Sequence, residues 1–196
     1  MNPSTARLGI FAALALLMAA TRVNHFAMVP DASWAVFFAA GYYLRGQWRW
    51  AFPLLMVLAV AVDFVVITRS GMNFWTHYCV SPGYWFLLPA YFSLWAAGAW
   101  FATRGEAALP RRFGQLVLAL VGGVVVCHAF AQGGFYWFSN AVAAPSIGGW
   151  LTNYGHWLLP YLQTAAIWTA AIVATDRGLA AMRGADAVSA RSRLPR

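Results

Sequence analysis

The stretch from Phe113 to Phe130, FGQLVLALVGGVVVCHAF, decides the fold, because its 18 residues carry no Asp, Glu, Lys or Arg and show none of the alternation a strand requires. A bilayer's hydrocarbon core is about 30 Å thick and takes about 20 apolar helical residues at 1.5 Å each, so this run reads as a membrane-crossing helix. Working outward, similar segments lie at Leu8 to Val23, Pro30 to Leu44, Trp50 to Thr68, Tyr84 to Ala102 and Tyr154 to Ala174. Only helices and closed barrels satisfy every backbone polar group in lipid, and runs without alternation point to helices. The expectation is therefore an all-α integral membrane protein with six transmembrane helices over residues 1–175. The first span is expected to be retained, since no small-residue cleavage site follows it. The second segment, at about 22 Å, is too short to cross fully, so one of its ends should be recessed.

Composition agrees. The chain has 196 residues, of which 62% are hydrophobic and 9% charged, against about 25% charged in soluble domains. A soluble globule is excluded, and no length is left for a separate soluble catalytic domain. The 13 basic residues are all arginine and face five acidic ones, giving a net charge of +8. In a soluble protein that surplus would suggest nucleic acid. Here, with the loops alternating sides, 11 of the 13 arginines fall on the side of the N-terminus, and only Arg22 and Arg69 fall on the other. By the positive-inside rule both termini are cytoplasmic. The surplus is topology signal and contact with anionic lipid heads, and no nucleic-acid partner is expected. Residues 176–196 turn polar and Arg-rich, which predicts a cytoplasmic tail fraying into disorder.

With that orientation the outer loops run roughly from Arg22 to Asp31, Arg69 to Gly83 and Ala131 to Asn153, and nearly all the rare polar chemistry lies outside. His25 and His77 sit in the first two outer loops, and His128 and His156 at the outer ends of the fifth and sixth spans. Asn24, Asp31, Asn73, Cys79, Asn140 and Asn153 join them, with Asp63 in the outer half of the third span. This asymmetry predicts an outward-facing pocket. Aromatic runs at the same level, Phe74-Trp75 and Phe135-Tyr136-Trp137-Phe138 among them, are interrupted by Gly71, Gly83, Gly133 and Gly134. They read either as an interfacial belt or as cover for a planar amphipathic ligand.

Thiol chemistry has two candidates. Cys127 lies in the helical run Val124-Val125-Val126-Cys127 and reads as a small buried hydrophobe. Cys79 lies in Trp75-Thr76-His77-Tyr78-Cys79-Val80-Ser81-Pro82-Gly83, where Pro82 and Gly83 break any helix. In an extended stretch residues i and i+2 share a face, which would set His77 beside Cys79 and favour a thiolate, a soft ligand for a metal centre. An incidental loop cysteine, a disulfide with Cys127, and a zinc site remain as alternatives, the last without CxxC or HxxxH spacing to support it.

Three stretches carry a resemblance: Asn24-His25-Phe26 through Asp31-Ala32-Ser33-Trp34, then Gly41-Tyr42-Tyr43-Leu44-Arg45-Gly46, then His77-Tyr78-Cys79-Val80-Ser81-Pro82-Gly83-Tyr84-Trp85. The chain resembles the BtuM family of small bacterial cobalamin (vitamin B12) transporters, which are similar to the substrate-binding S-components of energy-coupling-factor (ECF) transporters. The resemblance implies an S-component-like bundle, a multi-pass location in the bacterial inner membrane, and uptake of cobalamin or a related corrinoid. It implies that Cys79 ligates the cobalt and promotes decyanation of cyanocobalamin. The corrinoid is then substrate, and no cofactor of the protein's own is expected. Beyond Cys79, the substrate-binding expectations are His77, Tyr84, Asn24 and Asp31, chosen by position.

The chain has no Gly-x-x-x-x-Gly-Lys-Ser/Thr loop and so no ATPase of its own. Either an ECF ATPase module drives uptake, contacting small residues such as Ala15 and Ala19 on the first helix, or the protein works alone. Readings from other classes are a haem-binding membrane electron carrier and a thiol-disulfide oxidoreductase. Asp63, as an intramembrane carboxylate, is expected to pair with an arginine, to carry a proton or to hydrogen-bond neighbouring helices.

Overall fold

The computed structural model describes residues 2–23, 31–77, 80–105 and 108–192, with side chains through residue 182. Among these residues every regular element is helical: α1 (Pro3–Arg22), α2 (Ser33–Leu44), α3 (Trp48–Arg69), α4 (Leu87–Thr103), α5 (Leu109–Phe138) and α6 (Ile147–Ser192). Short 3-10 segments at Arg45–Gln47, Phe74–Thr76 and Pro82–Phe86 join or extend them. Five helical stretches are long and apolar enough to cross a membrane: Ser4–Arg22, Ser33–Arg69, Pro82–Thr103, Leu109–Phe138 and Ile147–Met182.

The second stretch is not one straight rod. Leu44 and Gln47 leave helical geometry at φ −117° and −107°, and the chain folds back so that Phe37 of α2 meets Phe52 of α3 edge-on, centroids 5.6 Å apart. In a straight helix those two positions would lie about 22 Å apart. The helices α2 and α3 are therefore antiparallel neighbours. At 12 residues, α2 rises only about 18 Å, shorter than the segment read from sequence.

This short helix is the centre of the molecule. All its residues but Tyr42 and Tyr43 are buried, as suits a helix apolar on every face. It lies closest to α4, where a Cβ on Gly41 would run into the Trp95 carbonyl and one on Gly98 into that of Phe38. Small residues that let backbones touch are the usual solution where packing, not hydrophobic transfer, holds helices together. Phe37 and Tyr91 stack at 4.5 Å, and Phe52 packs edge-on against Trp95, extending the core between α2, α3 and α4.

Three boundaries differ from the sequence reading. The helix α5 runs on to Phe138 and α6 starts at Ile147, so the third outer connection shrinks to about the residues between them, and Phe135, Tyr136, Trp137, Phe138 and Trp150 are helical. Of the glycines expected to interrupt the loops, Gly71 does turn the chain, at φ 76°, whereas Gly133 and Gly134 lie inside α5 and Gly134 sits directly against Gly83. At the far end α6 continues through Ser192 rather than fraying after Ala174. Alanine and leucine keep helix propensity high there even as charge rises. On α1, Ala15 and Ala19 are half-buried within the bundle, while Gly9, Ala12, Ala13 and Leu16 are exposed.

Candidate functional site

At the end of the bundle where α1 and α3 finish and α2 and α4 begin, the polar residues converge on one guanidinium. Arg22, the last residue of α1, is 5% exposed. Its Nε and Nη2 donate to Oδ1 and Oδ2 of Asp63 on α3 at 2.6 and 2.7 Å, a two-pronged pair. Its Nη1 donates to Asp31 Oδ2 at 3.0 Å, to Ser33 Oγ at 3.1 Å and to the Tyr91 hydroxyl of α4 at 3.1 Å. Planar, forked geometry makes arginine suited to such bidentate pairing, and charge-assisted bonds of this kind are the strong class. A buried charge left without partners would cost several kcal/mol, so the full set of acceptors is what allows Arg22 to sit inside.

The carboxylates are fixed in turn. Asp31 Oδ1 accepts from the Ser33 backbone N–H at 2.9 Å and its hydroxyl at 2.7 Å, an Asx turn that starts α2. The hydroxyl of Thr21 accepts from the Ala32 N–H at 3.1 Å and donates to the Leu17 carbonyl at 2.9 Å, tying the end of α1 to the start of α2. Asp63 Oδ2 accepts a second bond, 2.6 Å long, from the Tyr84 hydroxyl.

Tyr84 carries the network into the loop before α4. It lies in the 3-10 segment Pro82–Phe86, whose Gly83 is buried against the Gly134 carbonyl of α5 so closely that a Cβ on Gly83 would clash with it. Phe86 stacks on Phe138 at 5.0 Å. The segment is thus clamped, by Asp63 on one side and α5 on the other. Just before it, the Val80 N–H donates to the His77 carbonyl at 2.8 Å.

The expected site residues distribute as follows. Asp31 and Tyr84 come together through Arg22 and Asp63, with the Asp31 carboxylate and the Tyr84 hydroxyl both engaged inside the protein. His77 is half-buried with extended backbone, φ −70° and ψ 134°, directly after the 3-10 turn Phe74–Thr76. Asn24 and Cys79 lie outside the described residues, as do His25 and Tyr78. Cys127 is a free thiol, wholly buried in α5. Asp63 has the arginine partner weighed for it. Arg22, counted in the sequence as a loop arginine, is the residue that reasoning missed. The available signal was that Arg22 and Arg69 are the only arginines on the side that holds both Asp31 and Asp63.

A second polar region lies on α6. Gly149, Thr152, Asn153, His156 and Trp157 line a shallow, open concavity on the surface of this one helix. Beside it His128 is 1% exposed and its Nε2 is 3.0 Å from the Tyr154 carbonyl. A carbonyl only accepts, so Nε2 carries the proton. The rings of Tyr154, Tyr161 and Trp34 surround the imidazole at 4.6, 5.2 and 6.1 Å. Trp75 and Trp85, flanking the Cys79 stretch, are 76% and 72% exposed. Among the described residues no three His, Cys, Asp or Glu side chains form a group that could hold a metal ion. No protein-family model matches the chain, and no curated protein matches it either.

Proposed function

We propose that the protein takes up cobalamin, or a related corrinoid, across the bacterial inner membrane, binding it at the Arg22 end with the Cys79 thiolate on cobalt. In this reading the six helices are six spans, both termini are cytoplasmic and the Arg22 end faces outward. The observation that carries most weight is the clamp on Pro82–Phe86. A segment that begins three residues after Cys79 is fixed on both sides, which suits a loop that must present a thiol at a set height. The exposed Trp75 and Trp85 supply flat aromatic surface at the same end.

The chemistry is ligand exchange. The thiolate sulfur donates an electron pair to Co(III), the nucleotide base is displaced, and the cyanide opposite leaves with the electron pair of the Co–C bond and takes up a proton. Cobalt keeps its oxidation state. Soft thiolate donors suit such a centre. Drive comes either from an ECF ATPase module or from the protein acting alone.

The haem and thiol-disulfide readings draw less support. The buried His128 has its Nε2 committed to a backbone carbonyl, and the buried Cys127 is a free thiol. The reading is tested by uptake of labelled cobalamin into cells lacking every other uptake route. Accumulation on expression of the parent, lost with Cys79→Ser, is the expected result. Equal accumulation with and without the protein would overturn it. Repeating the assay in cells without any ECF module decides between the two sources of drive.

A further inference from the structure

The exposed side of α6 differs in kind from the exposed sides of its neighbours. Outward positions of α3 carry Leu54, Val57, Phe64 and Val65, and those of α5 carry Val117, Leu118, Val125 and Phe130. Large apolar groups of that sort suit lipid tails. At about 100° per residue, the positions within about 40° of the helix line through Thr152 are His156, Leu159, Gln163, Ala166, Ala170 and Ala174. All of them, and Thr152, are exposed, and Leu159 is the one large apolar side chain in the set. The shallow concavity at Thr152 and His156 lies at the head of this face.

Depth makes Gln163 the decisive residue. The Tyr43 side chain, near the end of α2, hydrogen-bonds Asp176, which sets that part of α6 at the end of the bundle where Arg45 and Arg104 are exposed. A hydrocarbon core of about 30 Å measured from Asp176 takes about 20 helical residues and ends near His156. Gln163 then lies about 10 Å inside the far boundary and about 20 Å from the near one. Its side chain is exposed there, and among the described residues its amide has no hydrogen-bond partner. A carboxamide left bare in hydrocarbon is costly, and intramembrane polar side chains turn toward protein rather than lipid. Below it, Ala166, Ala170 and Ala174 follow at four-residue spacing, which lets a second helix come close.

We propose that this face of α6 seats the α6 of a second copy of the chain, in a parallel two-fold dimer. Copies inserted with the same topology hold each residue at one depth, so about an axis along the membrane normal Gln163 meets Gln163. A carboxamide carries both donor and acceptor, so each copy satisfies the other. A different protein would need a polar group of its own at that depth, whereas a second copy brings one by symmetry. The matching stops at Arg177, the next residue on the face, which is exposed and would meet its own like charge. The contact thus runs from Thr152 to Ala174, about one membrane thickness. The inference needs these helices to cross a membrane and holds whichever ligand the protein carries.

The test uses the full chain. In a Cys79→Ser background, Ala170→Cys puts a thiol on the proposed seam and Val57→Cys puts one on the exposed side of α3, with the buried Cys127 silent. Oxidation with copper phenanthroline in phospholipid vesicles is expected to link Ala170→Cys into dimers at least fivefold more than Val57→Cys. Sedimentation in detergent then gives the dimer dissociation constant of the chain with its own Ala170 and Gln163. Gln163→Leu is expected to raise it at least tenfold, and Ala170→Ile, which fills the seam, at least fivefold.

A monomeric parent with Ala170→Cys linking no more than Val57→Cys would overturn the proposal. So would a dimer whose dissociation constant stays within twofold in Gln163→Leu, because the copies would then meet elsewhere. Should Gln163→Leu not fold, Ala170→Ile decides by the same twofold limit. A monomeric parent whose co-purification with the membrane subunit of an ATP-driven module is lost in Gln163→Leu assigns the face to that partner and overturns the second copy as its occupant.

Discussion

Arginine is used in opposite ways at the two ends of this bundle. At one end Arg22 is buried and answered by two carboxylates, a serine and a tyrosine. At the other, Arg45, Arg49, Arg104 and Arg111 are exposed, and Arg104 lies over the Trp100 ring at 4.1 Å. Arg112 stacks on Phe101 at 3.9 Å and donates to the carbonyls of Phe101 and Arg104 at the end of α4. The same side chain is thus a deeply buried junction at one end and, at the other, an exposed cation lying over aromatic rings or capping a helix end. Burial with complete partners makes a geometry, while exposure makes a charge density.

That contrast can be broken by substitution, with thermal unfolding in detergent as the measure. Arg22→Ala strands two carboxylates in a buried site and is expected to cost about 3–5 kcal/mol, the largest effect at this end. Gly98→Val forces a branched side chain into the Phe38 carbonyl and should cost about 3 kcal/mol by prising α2 from α4. If Gly98→Val were neutral, the close approach would not be holding the centre together. Tyr84→Phe removes one bond to a charged acceptor while keeping the ring, for which about 1.5–2 kcal/mol is expected. Arg104→Ala, losing an exposed cation–π contact, should cost about 0.5–1 kcal/mol. A cost for Arg104→Ala equal to that for Arg22→Ala would erase the distinction between the ends.

How much of this was legible in the sequence follows from what each residue's neighbours reveal. The helical runs could be read because apolar length is a local property. The shortness of α2 could be read the same way, and its position at the centre, buried on every side, fits a segment apolar all round. The ends of α5 and α6 could not. Gly133 and Gly134 look identical whether they break a helix or admit a neighbour, and the neighbour, Gly83, is far away in sequence. The long extension of α6 was hidden by its charge, although its alanines favour helix.

The site divides along the same line. Sorting polar residues along the chain puts Asp31 and Asp63 at one end, and an arginine partner is one of three alternatives the sequence leaves for Asp63. The choice of Arg22 could not be read, because its partner stands 41 positions away and the end of a span reads alike for a buried and an exposed arginine. Asp31 and Tyr84 are expected at the site from their position along the chain alone. They meet each other through Arg22 and Asp63, with the Asp31 carboxylate and the Tyr84 hydroxyl turned into the protein.

The most direct measurement is the absorbance spectrum of the purified protein after incubation with cyanocobalamin, parent against Cys79→Ser. The account predicts a shifted spectrum with release of cyanide for the parent and an unshifted cyanocobalamin spectrum for the variant. The same shift in both would contradict ligation of cobalt by this thiol.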